Sequence, residues 1–313
     1  MTDTNARISD SARELLERLR AISGTRTMSG QHNYPNHGSL HSDAAARIGG
    51  AYPAVWGSDF GFAGGDDKDS VLARPQIVKE AIRQHQAGSV VTLMWHAVRP
   101  IEDEPVTFID SIQGRVADGE WDDLLTPGTE IHARWIAQVD TVAGFLTQLR
   151  DAGVPVLWRP YHEMNGDWFW WCGRSGPRGY SALWRALHDR LVRHHALDNL
   201  LWVWNANAPS GEHAGPYGDF YPGHDVVDVL ASDIYRGDFA MRYYDDLVAL
   251  ASGKPIAIGE CGELPSAEIL NDQPLWCWFM TWSGMIEHAN TEETVRAVYA
   301  SPRVLHRPAH LPG

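Results

Sequence analysis

Apolar residues fall along this chain in short runs separated by longer amphipathic stretches. The runs "TMSGQH" (27–32), "YPAVWGSD" (52–59), "SVVTLMWH" (89–96), "VPVLWRPYHE" (154–163), "NLLWVWNA" (199–206), "VVDVLASDIY" (226–235), "KPIAIGE" (254–260) and "LWCWFMTW" (275–282) read as buried strands. Their length, their β-branched and aromatic content and the turn residues that bound them favour strand over helix. Between them, "RPQIVKEAIRQHQAG", "IHARWIAQVDTVAGFLTQLRDAG", "YSALWRALHDRLVRHHA" and "MRYYDDLVALASG" carry apolar residues at helical spacing, and "NTEETVRAVYAS" closes the series. The first 24 residues place Ile8, Leu15, Leu16, Leu19 and Ile22 on one side of a further helix, expected to pack on the body of the domain.

Strands that alternate with helices imply parallel pairing through crossover helices. Eight such units in 313 residues predict a (β/α)8 TIM barrel, with 1–313 as a single catalytic domain. A doubly wound open sheet is the alternative, but neither GxGxxG nor GxxxxGK[ST] follows the first strand. The longest connection, 97–128, is expected to shape a site, since loops of that length in compact domains usually do.

Charge then narrows the partners. With 26 basic against 40 acidic residues the net charge is −14, and basic clusters are few. Nucleic acid and polyanionic substrates are therefore not expected, because binding phosphate needs concentrated Lys and Arg. No apolar run reaches the length of about 18 residues that suggests a membrane span. The N-terminus lacks the basic-then-apolar order of a secretory signal, so the expected location is cytoplasmic, or secreted with a leader removed. Cys172, Cys261 and Cys277 show no CxxC spacing and do not build a disulfide scaffold.

Nearly every predicted strand ends in a polar or aromatic group: His32, Asp59, His96, His162 with Glu163, Asn205, Asp233 with Tyr235, Glu260, and Trp282. In a barrel these ends share one face, where active sites are built. Glu163 and Glu260 are the candidate catalytic pair. Both follow apolar runs that draw them toward low dielectric, where a carboxyl needs a compensating partner. One protonated and one ionised carboxyl on either side of a glycosidic bond suffice for its hydrolysis, with no cofactor and no metal. Arg159, four residues before Glu163, is a plausible partner for it, although an ordinary ion pair reads equally well. Two solvent-facing carboxylates are the plainer alternative for the glutamates themselves.

The aromatics supply the second half of the pattern. "WRPYHEMNGDWFWW" (158–171) sets Trp168, Phe169, Trp170 and Trp171 directly behind a charged strand end, where adjacent rings cannot all face one core. One or two of them are expected to meet a ligand. Sugar rings stack their C–H faces on indoles, while His, Asn, Asp and Arg, here Arg159 and Asp233 among them, hydrogen-bond the hydroxyls. Trp135 and Trp184, on helical segments, are expected to be packing residues. His32, His96 and His162 leave zinc open as a competing reading, but there is no HxH or HExxH pairing.

At these residues the chain resembles family 26 glycoside hydrolases, the β-mannanases of clan A. The long acid/base signature is "WRPYHEMNGDWFWW", and the similarity extends through "MSGQH", "MWHAVRP", "SDIY" and "PIAIGECG" in order. The resemblance implies a retaining endo-β-1,4-mannanase on a (β/α)8 barrel, acting on mannan, glucomannan or manno-oligosaccharides. It assigns Glu163 as general acid/base and Glu260 as nucleophile. His162 and Trp168 would flank the scissile bond, His96 would contact the sugar in the −1 subsite, Tyr235 would hydrogen-bond the nucleophile, and Trp282 would floor the −1 subsite. Cys172 stands where many members carry Gly, which bears on the local loop. The competing activities are a same-family β-1,3-1,4-glucanase or xylanase, a non-catalytic sugar-binding barrel, and a zinc-dependent hydrolase.

Overall fold

The eight apolar runs form eight parallel strands that close on themselves, seen in a computed structural model that describes residues 8–62 and 70–308. In chain order the elements are α1 (Asp10–Ile22), β1 (Thr27–His32), α2 (Leu40–Gly49), β2 (Val55–Asp59), α3 (Ser70–Gln86) and β3 (Val90–Trp95). Then come α4 (Asp118–Leu124), α5 (Glu130–Asp151), β4 (Val156–Pro160), α6 (Tyr180–Asp189), β5 (Leu200–Asn207), β6 (Val229–Ile234), α7 (Met241–Ala251) and β7 (Ile256–Cys261). The chain finishes with α8 (Ala267–Asp272), β8 (Trp276–Thr281), α9 (Met285–His288), α10 (Glu292–Tyr299) and β9 (Val304–Leu305). Each strand pairs with its neighbour in sequence, and β1 pairs with both β8 and β2, which closes a (β/α)8 barrel.

Two buried clusters divide the barrel. The larger one packs the outward faces of the strands, such as Leu93, Trp158 and Ile258, against the helices, and it includes Trp135 and Trp184, both packing residues as expected. The smaller cluster takes inward residues from all eight strands, among them Met28, Val55, Leu157, Val203, Ala257 and Trp278. Ala12, Leu15, Leu16 and Leu19 of α1 complete it, so this helix stops the barrel's N-terminal end like a plug. Ser9 caps α1 by accepting from the Ala12 amide, and Cys277 Sγ donates to the Leu19 carbonyl at 3.3 Å.

The periodicity does not disclose β9. It pairs with the first residues of β1 while β2 pairs with the last ones, so it fills the gap where β1 and β2 diverge below. Ser29 Oγ donates to Leu305 O at 3.1 Å, the Arg307 amide to Tyr52 O at 2.9 Å, and Pro53 bridges His306. The long connection between β3 and α5 is not structureless: it holds a five-residue π turn, Phe108–Ile112, and α4. Helix α3 starts at Ser70, earlier than the segment beginning at Arg74 suggests. Cys172, Cys261 and Cys277 are buried and unpaired. Among the described residues no helix is long and apolar enough to cross a membrane.

Candidate active site

Strand alternation carries the polar groups to one place. Two or four residues beyond the inward apolar positions Met28, Val55, Leu157, Val203 and Ala231 come His32, Asp59, Arg159, Asn205 and Asp233, all fully buried. Glu260 does not follow this rule. Ala257 points inward, so Gly259 should too and Glu260 should face the helices. The pairing with β6 slips instead from Ser232↔Ile258 to Asp233↔Glu260, leaving Gly259 as a bulge that turns Glu260 into the barrel. Only glycine fits there, because a Cβ would stand 1.8 Å from Asn205 Oδ1.

Glu163 reaches the same place by a different route. β4 ends at Pro160, short of the predicted 163, and both Tyr161 (φ 47°) and Glu163 (φ 54°) are left-handed. Such backbone is costly for residues with a Cβ and persists only where its surroundings fix it. Here the Glu163 amide donates to Asn205 O at 2.7 Å, and its carbonyl accepts from the Gly166 amide at 2.9 Å and from Cys172 Sγ at 3.1 Å. The thiol of Cys172 thus fastens the turn that carries Glu163.

The two carboxyls have different surroundings. Glu260 Oε1 accepts from Arg159 Nη2 at 2.8 Å, and its Oε2 accepts from the Tyr235 hydroxyl at 2.6 Å. Arg159 Nε is anchored on Asn205 Oδ1 at 2.8 Å. Arg159 is therefore the partner of Glu260, not of Glu163, which corrects the expectation from sequence proximity. The guanidinium projects inward from β4 itself, whereas Glu163 sits beyond the strand on a turned backbone. Glu163 Oε2 accepts from Trp168 Nε1 at 2.7 Å. Burial, and next the negative charge of Glu260, raise the Glu163 pKa to about 8. The Tyr235 hydroxyl is raised well above its ordinary value, by burial first, and stays a donor.

His32 and His162 are held as neutral site walls. Burial first, with the Arg159 guanidinium among the neighbours that reinforce it, lowers His162 well below its ordinary value, and His32 likewise. His96 Nδ1 lies 2.9 Å from Asp59 Oδ2, and its ring meets that of His162 edge-on at 4.5 Å. His32 stacks on Trp282 at 4.1 Å, and Tyr34 adds a third ring 6.0 Å from that indole. Among the described residues the histidines of the zinc reading do not assemble as a ligand set. His162, Asp233 and Glu260 do bring one ligand atom each within 4.8 Å of one another. That set fits a metal poorly, since both Glu260 oxygens are engaged and the Arg159 guanidinium stands 3.5 Å from Asp233.

Of the aromatic run, Phe169, Trp170 and Trp171 are buried and tied inward, with Trp170 Nε1 on Ala97 O and Trp171 Nε1 on His162 O, each at 2.7 Å. Trp168 alone stays partly exposed. Its ring lies so close over Gly166 that a Cβ there would approach within 2.4 Å. It edges an open cavity of about 500 Å³, with Asp233 and Tyr235 at one side and Asp167, Asn207, His213 and Arg236 around the rest.

A family model described as glycosyl hydrolase family 26 matches residues 3–308. The chain belongs to this family. It is 34% identical to a mannan endo-1,4-β-mannosidase of Thermothelomyces thermophilus over 94% of its own length, and spans 60% of that relative. GH26A from Muricauda sp. superposes with a TM-score of 0.92 at 48% identity, covering 96% of this chain and 97% of that one. A β-mannanase from a symbiotic protist of the termite Reticulitermes speratus, complexed with gluco-manno-oligosaccharide, superposes at 0.81 with 29% identity, covering 96% of each chain.

All nine site residues expected of this family 26 chain, Glu163, Glu260, His96, His162, Trp168, Tyr235, Trp282, Arg159 and Asp233, converge on the C-terminal face of the barrel. Residues that the sequence did not single out complete it: Tyr34 beside Trp282, and Asp167, Asn207, His213 and Arg236 around the cavity. A signal for His213 was present in the Gly- and Pro-rich loop "APSGEHAGPYG" (208–218) that follows β5, because that loop leaves the catalytic face.

Proposed function

We propose that this domain hydrolyses β-1,4-mannosidic linkages in mannan-type polysaccharides with retention of configuration. The reading rests on one observation: Glu260 is clamped by a cation and a hydroxyl, while Glu163 keeps its proton to about pH 8. That is the division of labour that double displacement needs. Glu260 forms an ester bond to the anomeric carbon as the glycosidic C–O bond breaks, and Glu163 gives its proton to the departing oxygen. Water then attacks the same carbon, returns a proton to Glu163 and releases Glu260. Tyr235 and Arg159 keep the nucleophile oriented between turnovers. Trp168 offers a stacking face beside Glu163, and Trp282, backed by His32, offers another.

Mannose as the preferred sugar is supported by the names of the relatives and by the gluco-manno-oligosaccharide bound to one of them. Product analysis on mannan, glucomannan, mixed-linkage glucan and xylan in parallel tests it. The expected result is cleavage of the first two into β-configured oligosaccharides. Faster release from mixed-linkage glucan or xylan would overturn the substrate, and initial α-configured products would overturn the mechanism.

A further inference from the structure

The double displacement described above leaves one buried carboxyl of the site without a task. Asp233 is fully buried, no well-formed hydrogen bond reaches either of its oxygens, and the side chains of Asn205 and Glu163 are its polar neighbours at hydrogen-bonding range. The nearest cation, Arg159 Nη2, is 3.5 Å away and already bound to Glu260. The bulge at Gly259 presses close, since a Cβ on that residue would stand 2.7 Å from Asp233 Oδ1. Charged and titratable groups face Asp233 from several elements. Arg159 comes from β4, His162 and Glu163 from the turn after it, Tyr235 from just beyond its own strand, Glu260 and Cys261 from β7, and Tyr217 from the turn that follows β5.

His162 is neutral, and burial keeps Tyr217, Tyr235 and Cys261 protonated. The charge balance therefore involves one guanidinium and three carboxyls. Before reaction, Arg159 is balanced by ionised Glu260 while Glu163 holds its proton. In the glycosyl-enzyme, Glu260 is esterified and Glu163 has given its proton away, so Arg159 is again balanced by one carboxylate. An ionised Asp233 would leave an uncompensated buried negative charge in both states, which low dielectric strongly disfavours.

We propose that Asp233 remains a neutral carboxylic acid through the whole cycle and is a positioning residue whose O–H donates to Glu163 once Glu163 has lost its proton. Burial, with the charge of Glu260 next, pushes Asp233 well above the ordinary carboxylate range, in the same direction. The proposal rests on the two-glutamate reading for its place in catalysis, but not for its protonation state.

Two measurements separate these points. In wild-type protein carrying 13C-labelled Asp, infrared spectra at pH 7 should show one protonated aspartic acid carbonyl band, absent from Asp233→Asn. Lack of such a band overturns the proposal whatever the enzyme's substrate. In kinetics, Asp233→Asn keeps a donor of the same shape and should hold kcat within about threefold, with the alkaline limb of the pH profile in place. Asp233→Ala should lose kcat by about ten- to a hundredfold with little change in KM, the effect of losing one hydrogen bond to a charged group. If the Asn variant falls as far as the Ala variant, Asp233 acts as an anion and the proposal fails. If wild-type protein cleaves no β-glycan, the two-glutamate reading fails instead, and the infrared band still decides the proton.

Discussion

The two ends of the barrel are built by opposite rules. At the N-terminal end the interior is apolar, closed by Leu15, Leu16 and Leu19 of α1, and the seam between β1 and β2 is sealed by β9. At the C-terminal end the interior holds Arg159, Asp233, Glu163, Glu260 and three histidines with burial almost as complete. Strain follows the same division. Of the six left-handed non-glycine residues described, Tyr161, Glu163, Arg236 and Ser283 lie within three residues of a strand end on the catalytic face. One end stabilises the fold and the other carries charge and strained backbone that only the rest of the barrel can hold in place.

The sharpest way to break this comparison is at Glu260. Glu260→Ala should abolish turnover on mannan while the far-ultraviolet circular dichroism stays that of wild type, because the residue is asked for chemistry and not packing. Residual turnover without an added nucleophile would remove it from the role. Glu163→Ala should lose about 10²–10⁴-fold on polysaccharide, the range for a general acid, but much less on an aryl glycoside whose leaving group needs no proton. Equal loss on both substrates would count against Glu163 as the acid.

The opposite end should respond in the opposite sense. Leu19→Ala removes a fully buried side chain from the plug, and should cost about 2–5 kcal/mol of stability in a denaturant titration. Its kcat/KM at 25 °C should match wild type. A variant that stays stable but loses activity would mean that the plug communicates with the site and that the division of labour is not real.

Much of this division could be read from the chain because strands alternate with a period of two. Apolar runs located the barrel, and polar residues at their ends located the face, so His32, Asp59, Arg159, Asn205 and Asp233 were legible from spacing. Glu260 also appeared at a strand end, but its inward direction depends on the bulge at Gly259. At that bulge Asn205 from β5 and Asp233 from β6 leave no room for a side chain, a crowding between strands that no local pattern encodes. Arg159 was matched to the wrong glutamate for a similar reason, since sequence distance says nothing of a backbone that turns left-handed at Tyr161 and Glu163. The two-residue β9 is too short to show a period, and the cavity wall joins Asn207 at the end of β5 to Asp167, His213 and Arg236 from three separate loops that only the fold brings together.

The smallest effect expected lies in how stability depends on pH, and it tests whether the catalytic end costs the fold anything. The Glu163 carboxyl is raised to about 8 in the folded protein, mainly by burial. Between its ordinary value of about 4.3 and about 8 the folded state therefore holds a proton that the unfolded state has released. Stability must fall as pH rises through that window and level off above it. Glu163→Gln has no such proton to hold. Relative to wild type it should gain about 2–3 kcal/mol between pH 5 and pH 7, close to the limit of about 1.4 kcal/mol per pH unit for one full proton. Urea titrations of both proteins at the two pH values measure the difference directly. A gap that stays constant from pH 5 to pH 7 would mean that Glu163 releases its proton at an ordinary carboxylate pH, and another group would then have to protonate the leaving oxygen.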